Sequence, residues 1–100
     1  MEMKIAFEHV EQTRYLLFKI FESGFDSGKN ASSGLGDCKK KAEELGMSGG
    51  AQLLDCLSGQ LTAFAAGQCT VDNVAVAYSN AILYYNRVAD LLVVETMLNQ

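Results

Sequence analysis

Bond-making chemistry in this sequence would have to start from His9, its one histidine, and from the thiols Cys38, Cys56 and Cys69. A nucleophilic site needs a thiol or hydroxyl beside a base, with a third group to orient that base. No cysteine or serine stands at motif spacing from His9, which falls on the polar side of its segment. The expectation is a solvated imidazole and no catalytic residues. Three cysteines without a CxxC pair, and one histidine, do not compose a zinc set, so neither a metal nor a cofactor site is expected. Cys56 and Cys69 would stand about 20 Å apart along a helix, too far for a bridge. Glu8 and Glu11 lack the Glu-x-x-His partner of carboxylate metal sites in bundles and read as an acidic, solvated face.

Only a pocket built from Arg14, Tyr85 and Asn86 offers an alternative of this class, as a small enzyme or ligand-binding bundle. Tyr78, Tyr84 and Asn80 could line it, although aromatic residues on the inner face of a bundle commonly serve packing. Arg14 projects from an apolar arc. It is expected to pair with Glu11 one turn earlier, the other possibility being a carboxylate across helices such as Asp90.

The elements that would hold these residues are helices. The 100 residues are 49% hydrophobic and 20% charged, contain no proline, and are punctuated by nine glycines, so the chain is too apolar for disorder and little but glycine interrupts a helix. We read a single all-α domain over 1–100: an antiparallel helical bundle of three long helices and one short one, with a long C-terminal helix. The net charge is -4 and no lysine or arginine occurs between Ala42 and Asn86. A continuous basic surface for phosphates is therefore not expected, and no nucleic-acid partner is expected. The first residues do not resemble a secretory signal, and the expected location is the cytoplasm.

From Glu2 to Ser23, Met3, Ala6, Phe7, Val10, Leu17, Phe18 and Phe21 share one arc and define helix one. Gly24 to Gly36 holds four glycines and three serines and reads as a connection. Gly24-x-x-x-Gly28-Lys29-Asn30 is one residue short of a phosphate loop and has Asn30 where a hydroxyl is required. Lys29, Ser32, Ser33, Leu35 and Gly36 faintly resemble the motif of histidine phosphotransfer domains. Asp26 stands at the place of the phosphorylated histidine in that family, so phosphotransfer does not carry over. Asp37 should cap a short second helix, Cys38 to Leu45, closed by Gly46. Its Lys39 to Lys41 run is balanced by Glu43 and Glu44 one turn on. Ser48 should cap a third helix ending before Gly67, with Leu53, Leu54, Leu57, Leu61, Phe64 and Ala65 inward. Gly59, Ala63 and Ala66 would allow a close neighbour on its other side.

Thr70 to Asn99 contains neither glycine nor proline and reads as one helix. Val71, Val74, Tyr78, Ile82, Tyr85, Val88, Ala89, Leu92 and Val93 form its inner face at helical period. Val76, Leu83 and Val94 run down the opposite side, and the helix is apolar all round from Leu91 to Val94. Thirty residues reach about 45 Å, against about 34 Å across a compact chain of this length, so an overhang is expected. Arg87, Asp90 and Glu95 interrupt any membrane span. The surplus apolar side chains call for a protein partner, itself as a homodimer or a larger complex. The expected interface residues are Val76, Leu83, Asp90, Val94, Met97 and Leu98, with Asp90 at the same heptad position as Val76 and Leu83. The function expected is a non-enzymatic interaction module, a homodimer or a small subunit or regulator of an assembly. An acidic inhibitor or immunity-type protein that binds a basic target is the alternative among binding proteins.

Overall fold

The computed structural model describes the backbone of residues 3–25 and 28–98, and the side chains of 4–25 and 33–98. Four helices account for nearly all of it: α1 (Met3–Glu22), α2 (Gly28–Glu44), α3 (Ser48–Ala65) and α4 (Val71–Leu98). Each packs on two others, so that α1, α2, α3 and α4 close a ring.

Glycine sets the ends of these helices. Gly46 has φ of 78° and Gly67 of 73°, a left-handed conformation that side chains with a Cβ resist. After α2, Met47 N–H donates to Ala42 O at 2.8 Å and Gly46 N–H to Glu43 O at 3.1 Å. After α3, Gln68 N–H reaches Ala63 O at 2.8 Å and Gly67 N–H reaches Phe64 O at 3.0 Å. Both are Schellman ends, which satisfy the orphan carbonyls of the last turn. The same pair of bonds ends α1 at Gly24, where Phe25 also takes a positive φ of 68° and packs its ring against Phe21 and Tyr78.

The second helix departs from expectation. It begins at Gly28 and runs for 17 residues, so Asp37 lies inside it and caps nothing, and most of the glycine-serine stretch is helical. Tertiary packing overrides the poor local propensity. Gly34 faces α1 so closely that a Cβ there would lie 3.1 Å from a Leu16 methyl, and Leu35 is fully buried beside it. The phosphate-loop and phosphotransfer comparisons rest partly on Asp26 and Ser27 and on the side chains of Lys29 and Ser32, which lie outside the described residues. Ser48 is the first residue of α3, whose N-cap is Met47 without a side-chain cap bond.

Leu17, Leu35, Leu54, Leu57, Leu61, Val10, Val74 and Tyr85 fill the centre and are fully buried. Each such aliphatic side chain contributes about 1.5–3 kcal/mol through its removal from water. Leu53 and Phe64 pack against this core half-buried, while Ala65 is exposed. The close approach expected at Gly59 occurs elsewhere. Gly50, in the first turn of α3, receives the rings of Tyr84 and Tyr85, whereas nothing lies within 4 Å of the Gly59 Cβ position.

The molecule measures 50 × 20 × 19 Å. The 28 residues of α4 reach about 42 Å, more than twice either of the shorter dimensions. Because α3 starts against Tyr84, the last turns of α4 run past it.

Candidate functional site

The solvent-facing ridge of α4 is the first candidate. Val76 is 62% exposed, Leu83 64%, Val94 51%, Met97 67% and Leu98 78%, and Asp90 is exposed as well. All six residues expected at an interface thus point away from the core of the single chain. The cause is angular. Val74, Ala77, Ala81, Tyr85 and Ala89 form the buried line of α4, and at 3.6 residues per turn Val76, Leu83, Asp90 and Val94 fall roughly opposite it. Val71 and Val93, expected on the inner face, are instead 48% and 46% exposed.

A feature that sequence periodicity did not reveal lies on α1. Phe7, Phe18 and Phe21, expected in the core arc, are exposed, as are Ile5 and Tyr15. Helix α1 packs against α2 on one flank and α4 on the other. Its buried line runs through Ala6, His9, Val10, Thr13, Leu17 and Ile20, turned away from the aromatic residues. Among the described residues, every exposed large apolar side chain belongs to α1 or α4. The α2 and α3 surface instead carries ion pairs, Lys39 with Asp55 at 3.3 Å and Lys41 with Glu44 at 3.6 Å.

Between α1 and α4 an open groove of about 430 Å³ is lined by Glu11, Arg14, Tyr15, Phe18, Tyr78, Ile82 and Asn86. Arg14 pairs with Glu11 at 2.9 Å, as expected, and its Nε donates to Asn86 Oδ1 at 3.1 Å; it does not reach Asp90. Tyr78 donates to Leu17 O at 3.0 Å and stacks on Phe21 with centroids 5.8 Å apart. Tyr85 takes no part in this groove. A pocket uniting Arg14 with Tyr85 is therefore not formed, because successive residues 85 and 86 lie on different faces of α4.

Tyr85 belongs to a buried polar cluster with His9. The two are joined at 2.9 Å between Nε2 and Oη, and Nδ1 lies 3.5 Å from the Thr13 hydroxyl. His9 is buried, not solvated as the sequence suggested. Burial, helped by the Lys41 charge, lowers its pKa below 6.5 and keeps the imidazole neutral. That ring accepts from Tyr85 at Nε2 when its proton rests on Nδ1. Burial raises the Tyr85 phenol and the Cys38 thiol, so both stay protonated. These shifts run opposite to those that activate a nucleophile. The cluster meets solvent through a cleft of about 360 Å³ shared by Glu8, Gln12, Asp37, Cys38 and Lys41.

No group of three or more His, Cys, Asp or Glu residues among the described ones is placed to hold a metal ion. Cys38, Cys56 and Cys69 are free thiols, and none of the described helices is long and apolar enough to cross a membrane. No known family model, curated protein or solved structure matches the chain.

Proposed function

We propose that this protein is a non-enzymatic helical interaction module, an antiparallel four-helix bundle that works by contact through α4 and the adjoining face of α1. The observation that carries this reading is the one-sided distribution of exposed apolar side chains, with Leu83, Val94, Met97 and Leu98 all more than half exposed on one helix. Scattered single exposures are ordinary on any surface, whereas exposed large apolar side chains gathered on one side of the molecule favour a contact site. Its partner is another copy of the chain or a subunit of a larger assembly.

Light scattering of the wild type and of Leu83→Asp and Val94→Asp tests the reading. Both side chains point to solvent, so the variants should unfold within about 0.5 kcal/mol of the wild type while association is lost. Substitutions that unfold the protein would return these residues to the core and remove the basis of the proposal.

The groove between α1 and α4 supports a second reading, a ligand-binding bundle in which Arg14 and Asn86 receive a carboxylate. The existing Glu11 and Asn86 bonds of Arg14 would have to be exchanged for the ligand, which makes this reading the weaker of the two.

A further inference from the structure

On the outer ridge of α4, Asn80, Leu83, Arg87, Asp90, Val94 and Met97 recur at alternating spacings of three and four residues, and all are exposed. That alternation is the seam of a two-stranded coiled coil, in which each position inserts between residues of a facing helix. Arg87 and Asp90 stand one turn apart and form no ion pair with any described residue. They are oppositely charged neighbours between Leu83 and Val94, and both face solvent.

Building on the reading of α4 as a contact surface, we propose that its occupant is α4 of a second copy, packed antiparallel about a two-fold axis midway between Val88 and Ala89. Residues equally distant from that point then face each other. Leu83 meets Val94 of the second copy, Arg87 meets Asp90 of the second copy, and Asn80 meets Met97, each contact occurring twice by symmetry. Leu83 and Val94 cover each other, Asn80 lies over the Met97 side chain, and the two charges find opposite partners.

Other arrangements lack this match. A parallel pair would set Arg87 against Arg87 and Asp90 against Asp90, which is repulsive at close range. A slip of one heptad in either direction places Arg87 opposite Met97 or Leu83 and Asp90 opposite Val94 or Asn80, so that each charge is desolvated without a counter-charge. Complementarity thus selects one orientation and one register. The two Arg87 to Asp90 pairs act chiefly as selectors, and the adhesion comes from Leu83 and Val94 with the apolar residues beside them.

The test is the dimer dissociation constant, measured by sedimentation equilibrium for the wild type, Arg87→Asp, Asp90→Arg and the double exchange, with helicity checked by circular dichroism. Each single substitution should weaken the dimer by about tenfold or more, since it creates two like-charge contacts. The double exchange should return it to within about threefold of the wild type. A wild-type dimer that ignores the single substitutions, or is not rescued by the exchange, overturns this register. If Leu83→Asp still dissociates such a dimer, the contact role of α4 survives. A wild type that remains monomeric at hundreds of micromolar overturns self-association itself.

Discussion

His9 Nε2 and Tyr85 Oη, 76 residues apart in sequence, share a 2.9 Å hydrogen bond in the interior of the bundle. The rings meet edge to face, with centroids 5.5 Å apart. This contact fixes the rotation of α1 against α4, because a buried imidazole and phenol each cost free energy unless they are paired.

Loss of that pairing is measurable. Tyr85→Phe removes the donor and orphans Nε2, at an expected cost of about 1–3 kcal/mol. In a His9→Leu background the same substitution should cost clearly less, since no imidazole is left unsatisfied. Urea denaturation of the four proteins gives the coupling, and additive effects would mean the two groups act independently.

The pKa of His9 in the fold lies below its ordinary 6.5, mainly through burial. As the pH falls below about 6.5 the unfolded chain takes up a proton that the folded chain refuses, so stability is complete above that value and declines toward the folded pKa. The melting temperature of the wild type should therefore fall more between about pH 7.5 and pH 5.5 than that of His9→Gln. Carboxylate titration is common to both proteins and cancels in the comparison. Parallel curves would exclude His9 as the source of acid sensitivity.

Two glycines of α3 should respond oppositely to alanine. A Cβ at Gly50 would lie 2.7 Å from Tyr84 Cε1 and 2.9 Å from Tyr85 Oη, and the Tyr85 hydroxyl is already committed to His9. Gly50→Ala should destabilise by about 1–3 kcal/mol. Gly59 faces open space, so Gly59→Ala should stabilise by up to about 1 kcal/mol through helix propensity. Thermal melts of both variants decide the matter, and a stabilised Gly50→Ala would contradict the packing of Tyr84 on α3.

Thiol reactivity should separate the cysteines. Cys56 is exposed and should react with a chromogenic disulfide at the rate of a free thiol. Cys38 is half-buried with its pKa raised, so less thiolate is present and its reaction should be at least about tenfold slower at neutral pH. Peptide mapping of partly labelled protein gives the order, and Cys38 labelled first would require an opened α1–α2 cleft.

The sequence shows α4 almost to its ends, because helical period, the absence of glycine and the exposed line of Val76, Leu83 and Val94 all express local geometry. The helix ends at Gly46 and Gly67 are legible for the same reason. The first half of α2 was hidden. Its glycines weaken the local signal, and what Gly34 answers to is the nearness of Leu16, a partner remote in sequence. His9 and the α1 aromatics were misplaced together: a helix flanked on two sides buries an arc rotated from the one its hydrophobicity alone suggests. Thr13 gave no signal at all, since a hydroxyl becomes an interior group only when its partners are known.

The α2 and α3 side has consequences of its own. Its exposed Lys40, Glu43 and Asp55 are strongly hydrated and offer no second adhesive zone. If α4 and α1 form the contact proposed above, a particle that adheres on one flank alone ends whatever it joins and does not propagate as a link in a fibre. On the proposed reading, growth stops at a closed pair or at the edge of a host complex, and the charged α2 and α3 side, where lysines and carboxylates balance, remains the surface presented to the surrounding water.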